Sequence, residues 1–344
     1  MRTVFNFIVD FGMLEIFLTF LILLNLLTFL LYAFDKNRAR KSKWRIRENV
    51  LIFFTLAFGG FGAFLGMFLM RHKTKKLKFK IALIVGLIIA AVPAVHIIHG
   101  FTLDRSVRFL EMQFFSESWR KELNGYRIGF ITDFHIITDE KMREIVDELN
   151  NRNLDLLILG GDFSMRNNHY QGTLNEISRV VTQDGIFGVE GNHDDYRRLF
   201  SAKLQNGIVP LDNNGFSIHE GFYVAGVSDM WNRRASINEA LLGSYEGDFV
   251  LLVSHNPDIV MEMEAERTDL ILSGHTHGGQ ITFFGFPIYL QRGSVTRYGT
   301  RFGYGLNASE SGTLVFTSRG VGNYYNIPRI FTRPEVVIFT MFNE

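Results

Sequence analysis

The sequence predicts an α/β body of layered strands and helices preceded by an all-α transmembrane region, and three observations carry that expectation. The first is charge. Up to Gly100 the chain holds 14 Lys and Arg against 4 Asp and Glu, and the rest holds 22 against 31, so a front end of +10 is joined to a body of −9. The formal net charge of +1 over 344 residues describes neither part. The second is a set of three long apolar runs confined to the front end. The third is a unit that recurs in the body: a short run of Ile, Val, Leu and Phe, a polar turn, then a segment of helical periodicity. This divides the chain into a membrane region over 1–100, a connector over 101–123 and a body over 124–344. The absence of Cys excludes a disulfide framework, a thiolate metal site and a Cys nucleophile. A metal site must be built from His, Asp, Glu and Asn.

The apolar runs cover 11–34, 50–70 and 81–98, and each reaches or approaches the roughly 20 residues that a helix needs to cross a bilayer. A cleaved signal fits the first run poorly, because Arg2 is its only basic leader and no small-residue cleavage site follows. One basic loop, from Lys36 to Arg47, separates the first and second runs, and another, from Arg71 to Lys80, separates the second and third. If the second run crosses, these loops lie on opposite faces, which the positive-inside rule disfavours. Gly59, Gly60, Gly62 and Gly66 interrupt that run and ease a chain reversal. The expectation is therefore a re-entrant hairpin, with both basic loops cytoplasmic and the body on the extracytoplasmic side. Three plain crossings are the rival, with the body then in the cytoplasm. Glu48 and His72, polar groups at apolar boundaries, read as interface anchors. Asp35-Lys36, Trp44-Arg45, Arg47-Glu48, Gly59-Gly60, Gly62, Gly66, His72-Lys73-Thr74 and Lys76 resemble a small family of bacterial membrane domains to which no activity is attached.

In the body, strands are expected at 127–132, 154–159, 185–189, 223–227, 249–253, 270–272, 313–317 and 336–341. Helices are expected at 140–149, 174–181, 196–204, 237–242 and 257–264. Polar residues follow these strands in order: Asp133 and His135; Gly160-Gly161-Asp162; Gly191-Asn192-His193-Asp194; Ser254-His255-Asn256; Gly274-His275-Thr276-His277. Ligands of open α/β sheets gather at the carboxyl ends of strands, so chain order alone brings these groups together. Five of the ten His residues lie in these turns. Singly, Asp-x-His and Gly-Gly-Asp are common turn or cap sequences, whereas Gly-Asn-His-Asp and Gly-His-Thr-His are unusual. Together they suit two hard to borderline divalent ions such as manganese, iron, zinc or magnesium. Two ions about 3.5–4 Å apart can polarise a phosphoryl group between them and lower the pKa of an attacking water. His169 and His219, outside the motifs, read as ordinary loop or surface histidines.

The body resembles the calcineurin-like metallophosphoesterases, and within them a membrane-tethered or secreted bacterial branch with Ser254-His255-Asn256-Pro257-Asp258, the run from Gly274 to Gln280, Ser318-Arg319-Gly320-Val321-Gly322 and Arg333-Pro334-Glu335. That resemblance implies a four-layer double β-sheet sandwich flanked by helices. It further implies that Asp133, His135 and His277 hold one metal, that Asp162 bridges, and that Asn192, His255 and His275 hold the other. His193 then sits beside the leaving group, and Asp194 either orients His193 or caps a helix. The chain departs from the pattern at Ile136-Ile137 and at Phe163-Ser164-Met165-Arg166, which bears on substrate rather than on reaction. Arg166, Arg292, Arg297, Arg301 and Arg319 are candidate phosphate clamps.

The function expected is that of a membrane-anchored dinuclear-metal hydrolase. It would cleave a phosphate ester or pyrophosphate, possibly lipid-linked, at the membrane or cell envelope. The alternative is a membrane transporter or sensor regulated by a phosphoesterase-like domain. A body of −9 with no basic stripe argues against nucleic acid.

Overall fold

The structure, a computed structural model, describes residues 13–103, 106–164, 170–231, 234–262, 267–283, 286–287, 295–324 and 329–344. Arg166, His169 and Arg292 lie outside the described residues. The chain divides into two units, Met1–His99 and Gly100–Glu344.

The first unit is built on apolar helices α1 (Met13–Arg40), α2 (Glu48–Leu56), α3 (Gly60–Leu69) and α4 (Leu77–Leu103). Among the described residues, two stretches suffice by length and composition to cross a membrane: Phe17–Arg40 and Leu77–Gly100, with mean hydropathies of 2.3 and 2.7. Helices α2 and α3 do not. At about 1.5 Å per residue each rises roughly 14–15 Å, half of a hydrocarbon core of about 30 Å. The run over 50–70 is thus two short helices separated by a break that holds Phe58, whose φ is +63°. Helix α3 lies so close to α1 that a Cβ on Gly62 would stand 2.0 Å from the Asn25 carbonyl oxygen. Asn25 satisfies the backbone there, its side chain accepting from the Gly62 N–H at 2.9 Å and donating to the Phe58 carbonyl at 3.0 Å. Such satisfaction is what non-helical backbone among apolar helices requires. Tyr32, Leu51, Ala63, Met67, Phe79 and Leu83 form the small core of the unit.

The other end of this unit is charged. Asp35 is fully buried and receives the Arg45 guanidinium at 3.0 Å, the Ile46 N–H at 3.0 Å and His72 Nε2 at 2.7 Å. Glu48 receives Lys73 and Lys76, each at 2.6 Å, and Lys78 at 2.5 Å. Glu48 and His72 therefore join the two basic loops to each other at one end of the unit.

In the second unit, strands of β-branched and aromatic residues form two six-stranded sheets. The first sheet contains β1 (Arg108–Ser116), β2 (Tyr126–Ile131), β3 (Leu156–Leu159), β4 (Ile186–Gly188), β5 (Ile208–Pro210) and β14 (Glu335–Asn343), in the order β1-β14-β2-β3-β4-β5. The second contains β6 (Asn214–His219), β7 (Phe222–Gly226), β8 (Phe249–Val253), β9 (Leu270–Ser273), β12 (Gly305–Ala308) and β13 (Leu314–Thr317), in the order β12-β13-β9-β8-β7-β6. Strands β2 to β5 run parallel, as do β7, β8, β9 and β13. A short hairpin, β10 (Thr282–Phe283) with β11 (Phe286–Pro287), stands apart.

Successive side chains of a strand point to opposite faces, and both faces here are apolar. Ile128, Phe130, Leu156 and Ile158 meet Val224, Leu251, Val253 and Leu272 between the sheets. Leu157 and Leu159 face outward onto Ile145 and Leu149 of α5 (Asp139–Asn150), Leu174 of α6 (Tyr170–Ile177) and Leu199 of α7 (Tyr196–Gln205). Leu252 and Ile271 face the other way, onto Ala240 of α8 (Ile237–Ala240) and Ile259 of the 3-10 turn Pro257–Met261. These contacts build the four-layer sandwich of helices, sheet, sheet and helix.

The stretch 101–123 holds more than a connection, because Arg108–Ser116 forms β1 and pairs in parallel with all nine residues of β14. Of the helix expected over 257–264, the described residues 257–262 hold a 3-10 turn ending at Met261. Inside α7, Lys203 is fully buried, its ammonium 3.0 Å from Asp212 and 3.1 Å from the Gly188 carbonyl. Removing one partner of a buried pair costs about 3–5 kcal/mol, so Asp212→Ala should lower the thermal midpoint by roughly 6–20 °C. An unchanged midpoint for the detergent-solubilised protein would show that Lys203 does not depend on Asp212.

Candidate metal centre

The strand-end residues converge. Asp133 and His135 follow β2, Asp162 follows β3, Asn192 follows β4, His255 follows β8, and His275 and His277 follow β9. Asp133, His135, Asp162, His275 and His277 all have positive φ, between +36° and +69°. Non-glycine residues rarely adopt that conformation, and its concentration here is backbone strain held at one site by the sheets beneath it. The turns also need bare backbone at two points. A Cβ on Gly191 would stand 2.2 Å from Asp162 Oδ1, and one on Gly322 would stand 1.7 Å from the Phe134 carbonyl oxygen.

Ligand atoms of Asp133, His135 and His277 lie within 4.8 Å of one another, as do those of Asp133, Asp162 and His255. Asp162 stands between two sets. Its Oδ2 is 3.1 Å from His135 Nε2 and 3.1 Å from His255 Nε2. On the first side, His135 Nε2 is 3.0 Å from His277 Nε2, which is 3.3 Å from Asp133 Oδ1. On the second, Asn192 Oδ1 is 3.1 Å from His255 Nε2 and 2.9 Å from His275 Nδ1.

Proton placement shows that a cation fits between these atoms. His255 Nδ1 lies 2.8 Å from the Gly160 carbonyl and must donate to it, so a neutral ring turns its Nε2 lone pair toward Asp162 and Asn192, which are themselves acceptors. His275 is oriented in the same way by the Val295 carbonyl, 2.9 Å from its Nε2. Such outer contacts fix the tautomer of a metal-ligating His. The electrostatics agree. Burial opposes charge on His255, yet Asp162 and Asp133 outweigh it and push its pKa up to about 10. Those carboxylates demand positive charge at that nitrogen, and a divalent ion supplies it. Burial holds His275 and His277 down at about 4, so both rings are neutral and open to a metal at pH 7.

His193 donates its backbone N–H to Asp162 Oδ1 at 2.9 Å, and its ring faces His135 with centroids 5.2 Å apart. Asp194 takes neither of the positions expected for it. Its carboxylate accepts the backbone N–H groups of Asp162 at 2.8 Å, Phe163 at 3.0 Å and Gly191 at 2.8 Å. It ties the Asp162 turn to the Asn192 turn, and Asp195 caps α7 instead, accepting from the Arg198 N–H.

Of the described candidate clamps, Arg297 pairs with Glu262 at 3.4 Å, Arg301 pairs with Glu310 at 3.1 Å, and Arg319 lies 3.8 Å over the Tyr304 ring. Two aromatic neighbours and one Arg were not flagged by the sequence. Tyr324 lies 5.3 Å from the His193 ring and 5.7 Å from His135, the exposed Trp231 lies 5.5 Å from His275, and the buried Arg329 reaches within 3.5 Å of His277 Nδ1. All three sit in long connections with no motif spacing. Arg333-Pro334-Glu335 was the nearest signal to Arg329.

Comparison with known proteins agrees with this geometry. The family model for calcineurin-like phosphoesterases matches residues 126–279. Over those residues the chain is similar to calcineurin-like phosphoesterases. A second model, described as a protein of unknown function (DUF1294), matches residues 25–79. The metallophosphoesterase YkoQ of Bacillus subtilis is 28% identical, over 63% of this chain and 83% of its own. A Danio rerio protein, named as a transmembrane protein with a metallophosphoesterase domain, is 26% identical over 83% of this chain and 69% of its own. Phosphodiesterase YaeI of Escherichia coli is 28% identical, over 63% of this chain and 82% of its own. Over that stretch the chain is similar to metal-dependent phosphoesterases, and its Asp and His clusters offer donor sets of the kind that hold metal ions.

Proposed function

We propose that the protein is a membrane-anchored dinuclear phosphoesterase whose substrate is a phosphate ester or pyrophosphate presented at the lipid surface. The observation that carries the dinuclear reading is the position of Asp162 Oδ2, 3.1 Å from one imidazole of each set. Asp133, His135 and His277 would hold one ion, Asn192, His255 and His275 would hold the other, and Asp162 would serve both. Bound there, two divalent ions would supply Lewis-acid polarisation of a phosphoryl group and a lowered pKa for an attacking water. His193, whose ring stands beside the first set, stabilises or protonates the leaving oxygen. Asp194 holds the two turns in register through its three backbone contacts and touches no reacting atom.

The anchor reading rests on the two long apolar helices and the short α2–α3 hairpin. The contacts of Glu48 with Lys73, Lys76 and Lys78 support a topology in which both basic loops share the cytoplasmic face. The chain beyond α4 then emerges on the extracytoplasmic side, and the names of the zebrafish and Escherichia coli relatives are compatible with a tethered phosphodiesterase. Lys121→Cys in this Cys-free chain should react with an impermeant maleimide from outside intact cells; labelling only after lysis would place the enzyme in the cytoplasm. Hydrolysis of a chromogenic phosphodiester by the full-length protein with added manganese, and its loss on chelation, tests the activity itself.

A further inference from the structure

Directly after the metal-site turn, the chain runs for fourteen residues without a charge, from Gly278 to Gln291, through Phe283, Phe284, Phe286, Ile288, Tyr289 and Leu290. This stands in a body whose net charge is −9. Its described part is the β10–β11 hairpin, where Phe283 pairs directly with Phe286. Opposed residues of an antiparallel pair project from the same face, and these two rings are 48% and 75% exposed. The base of the hairpin is hydrogen-bonded to neighbouring segments of the domain. Thr282 is buried and donates its N–H to the Ile330 carbonyl at 2.9 Å, and Gln280 exchanges two side-chain hydrogen bonds with the Tyr324 backbone, at 3.0 and 3.1 Å. Tyr324 is the residue whose ring borders His135 and His193. An exposed aromatic pair is therefore fixed to the rim of the metal centre.

We infer that the β10–β11 hairpin is a membrane-contact element, setting Phe283 and Phe286 into the interfacial layer of the bilayer and holding the mouth of the metal centre against the lipid surface. Exposed aromatic residues on a soluble face are a hydration cost, and aromatic rings are favoured at the level of lipid headgroups. The same chain carries helices long and apolar enough to cross a membrane by length and composition, so a bilayer is the partner that the anchored reading offers this hairpin. The consequence is selectivity for phosphoesters at the headgroup level over those in bulk water. The inference rests on the membrane-anchored reading proposed above.

The chain lacks Cys, so single-Cys variants of the full-length protein take one nitroxide label each. Phe286→Cys, Leu26→Cys in α1 and Leu242→Cys are compared in nanodiscs of phosphatidylethanolamine and phosphatidylglycerol. All three positions are exposed, at 75%, 51% and 86%, so labelling leaves the cores intact. The label at Phe286 should relax with dissolved oxygen and be shielded from a water-soluble nickel chelate, as at Leu26 and opposite to Leu242. Access to the nickel chelate equal to that at Leu242, with Leu26 immersed, would overturn the hairpin inference and leave the anchor intact. Shielding from both relaxants would mean contact with protein, such as a second copy, and would also overturn it. A water-exposed Leu26 would sink the anchor reading together with this one.

Discussion

Asp162→Ala should release both metal ions and bring phosphodiester hydrolysis down to the level of buffer. The reason is geometric. Asp162 Oδ2 serves the His135 set and the His255 set at the same distance, 3.1 Å, while Oδ1 receives the His193 backbone N–H. In the proposed assignment any other ligand lost leaves one set whole, whereas losing this carboxylate removes a ligand from each. It also removes the charge that most raises His255, so neutral imidazoles would face each other with less to bind a cation. Metal content of the purified full-length variant, set against circular dichroism to show retained folding, checks the result. A folded Asp162→Ala protein that keeps two ions would refute the bridging role.

His193→Ala should do the reverse, keeping both ions while turnover falls by about 10²–10⁴-fold, the usual contribution of a positioned acid or base. The contact of His193 with the bridging residue runs through its backbone N–H, which survives the substitution. Its ring lies near His135 and Tyr324 without being needed by either set. The separation of metal content from turnover is the diagnostic, and equal metal loss in His193→Ala and Asp162→Ala would mean that the imidazole is a ligand.

The parts of this protein that were legible in its sequence share a physical cause. Strands β3, β4 and β8 are uninterrupted apolar runs, and β2 and β9 are broken only by Arg127 and Ser273, because both faces are covered, and each is followed by the ligands that the sheet presents. Such signals are local. Strand β1 is not of that kind. It carries Arg108, Glu111 and Gln113, most of its residues are at least partly exposed, and its identity depends on pairing with β14 more than two hundred residues later. Tyr324, Trp231 and Arg329 were equally hidden, since long connections bring them to the site with no periodicity to mark them. The glycines of the second apolar run did announce a break in the helix, although the part played by Asn25 in satisfying that break is visible only once α1 and α3 are side by side. Asp194 shows the limit of motif reading: its place in Gly-Asn-His-Asp suggests chemistry, whereas its carboxylate is spent on three backbone N–H groups.

The central claim is a two-ion site in the phosphoesterase domain, and elemental analysis of the full-length protein before and after exhaustive chelation tests it most directly. Two divalent ions per chain are expected, with loss of phosphodiester hydrolysis as they are removed and recovery on adding back manganese or a similar ion. A chain that hydrolyses phosphodiesters at full rate with less than one ion bound would contradict it.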